Sequence, residues 1–125
     1  MLIQSYLTII FAELADTNKT DIAIETKLDE YFGENIKTAS LADFAAKQNY
    51  NSDYIGRLIK NKTGKSFSEL FAAYRIARAK QLLVESNLTI ENIAYEIGYS
   101  NTSGFYKQFF SVVGIKPNEY RNLLK

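Results

Sequence analysis

Hydrophobic positions recur along this chain with helical spacing, and no segment of useful length alternates apolar and polar residues with a period of two. The pattern predicts an all-α fold built from short amphipathic helices. The longest predicted helix runs from Phe67 to Glu85 and is apolar over more than half of its circumference. Such a helix packs against other elements on two sides, so it is predicted to connect two modules.

Two similar helix-turn-helix units flank this connecting helix. The first unit spans residues 40–60 and the second spans residues 89–111. In each unit an alanine, where the helices must approach closely, precedes by four residues a position suited to a left-handed turn. The two alanine and turn pairs are Ala45 with Asn49, and Ala94 with Gly98. A duplicated unit of this kind predicts a protein that reads two stretches of DNA major groove.

Capping residues set the expected helix ends. The predicted N-caps are Ser40 (with Asp43 as its partner), Asn51, Thr89 and Ser100. Ser66 and Glu69 predict a capping box ahead of the connecting helix. Residues 61–64 are expected to form an exit loop after the first unit. Gly114 is expected to end the helix that Ser100 caps, and Pro117 is expected to begin a final short helix.

The amino-terminal part carries an amphipathic pattern from Leu2 to Leu14, followed by a polar break and a predicted helix from Asp21 to Phe32. The apolar stretch is too short and too interrupted to span a bilayer. It also lacks the basic start and small-residue cleavage site of a signal peptide. These patterns predict a cytoplasmic protein without a membrane partner. The stripe of residues 2–14 is expected to bury itself against a sensing domain, a second copy of the chain, or this domain's own surface.

Charge and composition narrow the possible chemistry. The net charge of +1 conceals an asymmetry, because residues 1–36 hold two lysines against seven acids whereas residues 37–125 hold thirteen basic residues against seven acids. A basic half fits a polyanionic partner, although a solvated lysine-rich face gives the same composition. The sequence contains no Cys and no His, which excludes disulfides, Cys/His zinc sites, a thiol nucleophile and an imidazole base. No enzymatic activity and no cofactor are predicted.

Residues from about Lys27 to Leu124 resemble the AraC/XylS family of bacterial transcription regulators. The resemblance rests on the first unit, the segment TGKSFSEL followed by YRIARAKQLL, the second unit and the exit GIKPNEYR. It implies a seven-helix DNA-binding domain over residues 21–125, and residues 1–20 are expected to be a linker helix at the tail of a sensing or dimerisation region. The expected architecture is therefore two helix-turn-helix subdomains joined by a connecting helix and preceded by an amino-terminal linker helix.

The second helix of each unit is expected to read DNA. Its inward face in the first unit is predicted to hold Tyr54, Ile55, Leu58 and Ile59. Arg57 is the strongest candidate for reading a base, because a guanidinium bonds two acceptors on guanine. Lys107 takes the corresponding place in the second unit, with the charge but without the fork. The candidate base-reading residues are Ser52, Asp53, Gly56, Arg57, Ser103, Gly104 and Lys107.

Phosphate contacts are expected from helix N-termini and neighbouring polar side chains. The candidates are Ser40, Lys60, Lys62, Lys65, Thr89, Ser100, Thr102 and Tyr106. On the connecting helix, Arg75 and Arg78 either join this set or pair with Glu69 or Glu85. Asp53 either accepts a hydrogen bond from cytosine or favours the helix N-terminus.

The predicted function is sequence-specific binding of double-stranded DNA by a bacterial transcription regulator. Further partners that the resemblance implies are RNA polymerase and a sensing domain in the parent protein, with a homodimer through residues 2–14 as one possible assembly. The alternative is a helical protein–protein interaction module with a degenerate DNA-reading surface. In that interpretation, Asp53, Gly56 and Gly104 mark a reader that has been lost.

Overall fold

The computed structural model describes residues 24–125, and within that range the chain folds into helices without a strand. The first, α1, is described over residues 24–34. The others are α2 (Leu41–Lys47), α3 (Ser52–Thr63), α4 (Phe67–Glu85), α5 (Ile90–Glu96), α6 (Thr102–Val113) and α7 (Pro117–Leu124). The all-α prediction is confirmed, and α4 has the predicted bounds. The predicted helix over residues 2–14 and the polar break after it lie outside the described residues.

Two hydrophobic cores are built on the two halves of α4. The first core joins α1, α2 and α3 to Phe67 and is rich in aromatic rings, including the buried Phe32 and Phe44. The second core joins α5 and α6 to the carboxyl-terminal half of α4, with Phe105 and Phe109 fully buried. Because the faces of a helix repeat every 3.6 residues, one long helix can serve both cores from different faces. The connecting role predicted for α4 is confirmed.

The turns of the two units are nearly identical. Asn49 and Gly98 both have positive φ, at 66° and 97°. In each turn, the amide of the residue after the left-handed position donates to the carbonyl of the buried alanine, from Tyr50 to Ala45 at 3.0 Å and from Tyr99 to Ala94 at 2.9 Å. The left-handed residue thus turns the chain while the helix keeps its last carbonyls paired. Both predicted alanine and turn pairs are confirmed.

The helix α3 is longer than expected, because residues 61–63 continue it rather than form an exit loop. The Thr63 hydroxyl donates to the Ile59 carbonyl at 2.8 Å, and Gly64 ends the helix with a φ of 80°. The predicted end of α1 is close, since the sequence placed it near Phe32 with Gly33 and Asn35 as terminators and the helix stops at residue 34, before Asn35. Asparagine, threonine and glycine near a helix end weaken helix propensity, but they do not always stop the helix.

The N-cap of α6 is Asn101, and the prediction of Ser100 was wrong. Asn101 has the extended backbone of a cap, and its side-chain oxygen accepts from the amide of Gly104 at 2.8 Å. The predicted caps are confirmed at Ser40, Asn51 and Thr89. In each, the side-chain oxygen accepts a hydrogen bond from the backbone amide three residues later, as N-caps do. The capping box of Ser66 and Glu69 forms both of its hydrogen bonds.

Asp43, the partner predicted for Ser40, makes one of the two expected capping hydrogen bonds, and a residue from α1 makes the other. The Ser40 hydroxyl accepts from the Asp43 amide, but the Asp43 carboxylate accepts from the Tyr31 hydroxyl at 2.7 Å and lies 3.3 Å from Lys47 Nζ. The Ser40 amide donates to the same Tyr31 hydroxyl at 3.0 Å. Hydrogen bonding to Tyr31 lowers the pKa of Asp43. A tyrosine from α1 therefore completes the start of α2, which ties α1 to the first unit.

Candidate nucleic-acid interface

The outer face of α3 carries charged and aromatic side chains over a completely buried inner face. Ile55 and Ile59 have no exposed surface, whereas Asp53, Arg57 and Lys60 are exposed. Asp53 and Arg57 are one turn apart and so share a face. The candidate Ser52 lies half-buried beside them at the start of the helix. These residues lie on the outer face as predicted, and the prediction differs from the structure at Tyr54 and Gly56.

Tyr54 is the first exception, because it was predicted to point inward. Its side chain is 44 % exposed and lies against Tyr50, with the ring centroids 5.0 Å apart. Tyr54 is rotated by about 100° from Ile55 around the helix, which takes it beyond the edge of the first core. No local pattern indicates this placement, because a residue about 100° from a core residue can lie on either side of the core boundary. Tyr54 therefore joins Arg57, three residues later, on the accessible side of α3.

Gly56 is the second exception to the predicted outward placement, because it lies at a packing contact between α3 and α2. A Cβ at this position would lie 3.2 Å from a methyl carbon of Leu41 on α2. This distance is tighter than ordinary van der Waals contact, so a glycine lets the two helices of the first unit approach. The residue faces α2 rather than the exposed strip of Asp53 and Arg57.

The helix α6 repeats the frame of α3 with different side chains. Both helices have twelve residues, an asparagine N-cap and a left-handed glycine at the C-cap. Counted from their N-caps, Lys107 corresponds to Arg57 and Gly104 corresponds to Tyr54. Ser103 and Lys107 are exposed, while Thr102 and Gly104 are half-buried. The second unit thus presents a cation at the matching position but lacks the aromatic side chain of the first.

Tyr106 takes the place that Gly56 holds in α3. Its ring lies edge-on to Phe105, with centroids 6.3 Å apart, and it packs against the second core. Its position remains half-exposed. At this position α6 therefore carries a packed side chain, whereas in α3 the space beside the glycine is occupied by Leu41 of α2.

Replacing Gly104 by alanine is expected to raise the free energy of unfolding by up to about 1 kcal/mol, because glycine loses more backbone entropy on folding. The new Cβ has room, since its nearest neighbours would be Asn101 Oδ1 at 3.5 Å and Tyr99 Cδ1 at 3.8 Å. Urea unfolding of Gly104→Ala measures the change. The matched control is Gly64→Ala, where a φ of 80° makes a loss the expected result. A loss at Gly104 of the same size as at Gly64 would contradict the prediction.

Six of the eight predicted phosphate-binding side chains fall into two groups. Ser40 and Thr89 begin α2 and α5, with hydroxyls already engaged by the helix amides, and Ser100 is exposed just before the cap of α6. The exposed lysines lie around the carboxyl-terminal end of α3, at Lys60, Lys62 and Lys65. Positive charge at that end of a helix is stabilised by the helix dipole.

Glu69 moderates the charge of this lysine group. Its carboxylate accepts a hydrogen bond from the Ser66 amide at 2.8 Å. That bond, with smaller contributions from the charges of Lys60 and Lys65, lowers the pKa of Glu69. The group is therefore a cluster of lysines beside one ionised carboxylate.

The two arginines of α4 do not pair with Glu69 or Glu85, so that alternative was wrong for both. The Arg78 Nη1 atom donates to Gln81 Oε1 at 2.7 Å, and the Gln81 amide donates in turn to Glu85. Arg75 is directed inward and donates to main-chain carbonyls of two other segments. Sequence spacing favoured nearby acids, whereas the actual partners of Arg75 are distant in sequence.

Two further properties concern residues 24–125 as a whole. None of the helices there combines the length and the apolarity that crossing a bilayer requires. The same residues contain no group of three or more acidic side chains arranged to hold a metal ion.

Comparison with known proteins identifies the architecture. A family profile described as "Helix-turn-helix domain" matches residues 44–123. The chain is 34 % identical over 82 residues to the uncharacterized HTH-type transcriptional regulator YtdP of Bacillus subtilis (strain 168), covering 66 % of this chain and 11 % of YtdP. The chain spans between 11 % and 35 % of the length of four of the curated relatives that it matches.

Two solved structures have the same fold. The C-terminal domain of AraT, a response regulator from Geobacillus stearothermophilus, is 29 % identical with a TM-score of 0.73, over 78 % of this chain and 83 % of that one. The DNA-binding domain of AdpA, solved in complex with a target DNA, has a TM-score of 0.69 over 78 % of this chain and 91 % of that one. Its identity is 19 %, so this likeness concerns the fold alone.

Proposed function

The chain belongs to the AraC-type helix-turn-helix family, as its paired motifs predict, and on that premise we propose that it is the sequence-specific DNA-binding domain of a bacterial transcription regulator. The reading helices, α3 and α6, enter successive segments of the major groove about 34 Å apart, one helical turn of DNA. This family consists of transcription regulators rather than enzymes. No chemical step and no cofactor are part of the proposal.

The observation that carries this proposal is the repeated frame of the reading helices. Each has a buried inner face and an exposed cation at the same distance from its N-cap, Arg57 in α3 and Lys107 in α6. A helix that only packs against a protein partner has no need of a matching cation in both copies. Two equivalent cations on one scaffold suit a ligand that presents the same groove twice, as duplex DNA does one helical turn apart.

The side chains divide between base reading and phosphate binding. Arg57 reads guanine through two hydrogen bonds, while Ser52, Asp53, Ser103 and Lys107 flank or repeat that contact. Gly104 lets the start of α6 approach the groove, and Tyr54 adds an aromatic surface next to Arg57. Phosphates are bound from the helix starts and the lysine group, by Ser40, Lys60, Lys62, Lys65, Thr89, Ser100, Thr102 and Tyr106.

In this proposal, the chain supplies the DNA-binding domain of a longer regulator. Residues 21–125 form the DNA-binding domain, and residues 1–20 link it to a sensing or dimerisation region. The greater length of the relatives supports this division. RNA polymerase, a sensing domain and a second copy bound through residues 2–14 are the proposed protein partners, in the cytoplasm.

Selection of bound duplexes from a random pool, followed by salt titration of the selected duplex, tests the function. We expect one sequence class to be enriched. Its affinity should fall steeply with salt, with a log–log slope of about −0.9 for each phosphate neutralised. A scrambled duplex should bind more weakly at every salt concentration. Absence of enrichment, together with salt-independent or undetectable duplex binding, would support a protein–protein interaction module instead.

A further inference from the structure

The guanidinium of Arg75 joins the loop before the first unit to the turn inside the second unit. Its Nε atom donates to the carbonyl of Ile36, in the loop between α1 and α2, at 3.2 Å. Its Nη2 atom reaches the carbonyl of Gly98, the turn residue of the second unit, at 3.5 Å. A single side chain on α4 therefore contacts both the segment that leads into the first unit and the turn inside the second.

Aromatic rings hold this guanidinium in place. Its central carbon lies 4.1 Å from the ring centroid of Phe71, which packs against the first core, and 5.0 Å from that of Tyr99, which packs against the second. Stacking on aromatic faces favours a guanidinium in one orientation. Burial raises the pKa of Tyr99, and the charge of Arg75 opposes that shift. The two cores thus meet at this side chain.

The surrounding contacts leave little room for movement. A Cβ at Gly98 would lie 2.7 Å from Arg75 Nη2, 2.7 Å from the Ile36 carbonyl oxygen and 2.9 Å from Lys37 Cα. The Lys37 ammonium lies 3.8 Å above the ring of Tyr95 on α5. The loop after α1 is therefore in close contact with the α5–α6 turn and with α5.

We propose that Arg75 is a positioning residue that sets the angle and distance between the reading helices, and through them the base-pair spacing of the two half-sites that the protein accepts. This inference rests on the proposed function. Two connected binding modules gain affinity only when their geometry matches that of the ligand. Without the Arg75 bridge, the units are connected by α4 and by the remaining contacts of the loop after α1, such as Lys37 with Tyr95, and their mutual orientation becomes less defined.

The first experiment measures spacing selectivity with Arg75→Gln, which removes the charge and the fork. Affinities are compared for the selected duplex, for the same duplex with one base pair inserted between the half-sites, and for a single half-site. We expect Arg75→Gln to lose about tenfold in affinity at the selected spacing, with half-site binding unchanged and a smaller penalty for the insertion. The matched control is Arg78→Gln, one turn further along α4, which removes the same charge and should keep the insertion penalty of the original chain whatever its absolute affinity. An insertion penalty equal to that of the original chain would overturn the inference.

The second experiment needs no DNA. The sequence contains no cysteine, so spin labels can be placed at Asn61→Cys and Ser111→Cys, equivalent exposed positions near the ends of α3 and α6. Pulsed dipolar spectroscopy should give one narrow distance distribution, broadened by Arg75→Gln but not by Arg78→Gln. If Arg75→Gln fails to fold, Lys37→Ala removes another contact of the same junction and should broaden the distribution more modestly. An unchanged distribution in a folded variant contradicts the inference, whether or not the chain binds DNA.

Discussion

Replacement of Arg57 by alanine is expected to relax the preference at one base pair of the selected site and to weaken binding there by about 1–3 kcal/mol. The guanidinium lies on the exposed face of α3, opposite the buried Ile55 and Ile59. From that face, two parallel N–H donors can reach O6 and N7 of one guanine. No other base pair presents the same pair of acceptors in the major groove.

The measurement is binding of Arg57→Ala to a panel of duplexes that differ at each position in turn. A base-reading role predicts that the variant stops distinguishing the four bases at one position while it keeps its preferences elsewhere. Arg57→Lys should retain overall charge but lose most of that discrimination, because an ammonium lacks the planar fork. Arg78→Ala removes the same charge from α4 and serves as the control. An equal loss of affinity on every duplex would mean that Arg57 binds phosphate and reads no base.

Replacement of Gly98 by alanine is expected to cost about 3 kcal/mol or more of the free energy of unfolding. A φ of 97° places this residue in the left-handed region, where a side chain costs about 1–2 kcal/mol. Its Cβ would in addition lie 2.7 Å from both Arg75 Nη2 and the Ile36 carbonyl oxygen. Relief of such overlap in a packed region costs about 1–3 kcal/mol more.

Gly114 provides the matched comparison. Its φ of 92° is almost the same, but a Cβ there would meet nothing within 4 Å. Gly114→Ala is therefore expected to lose only the left-handed contribution, about 1–2 kcal/mol. Urea unfolding of the two variants isolates the cost of the close contact. Equal losses would show that the loop after α1 yields without resistance, and the junction would then be less tightly packed than its distances indicate.

The parts of the fold that short stretches of sequence determine were predictable. The residues Asn49 and Gly98 identified both turns because few other residues accept positive φ, and the Ser66–Glu69 box located the start of α4 to the residue. Helical periodicity likewise identified the buried faces of α3 and α6. Each of these signals depends only on residues within a few positions of one another, so the sequence alone is enough to identify it.

What the sequence did not reveal depends on contacts between distant residues. The carbonyl partners of Arg75 lie 39 and 23 residues away, and no local pattern indicates them. The same holds for the role of Tyr31 in capping α2 and for the approach of Leu41 that explains Gly56. In the candidate interface, the charged positions of α3 and α6 could be predicted from periodicity. The exposure of Tyr54 could not, because it depends on where the first core ends.

The separation between buried and outward faces on α3 and α6 has a consequence for how such proteins diversify. Ile55, Ile59, Phe105 and Phe109 have no exposed surface and maintain the scaffold, while the side chains on the opposite faces contribute little to it. Descendants of one ancestral gene can therefore acquire new operators by exchanging a few outward residues, with the architecture inherited intact. The structure that has the same fold at 19 % identity shows that this scaffold tolerates extensive differences in sequence.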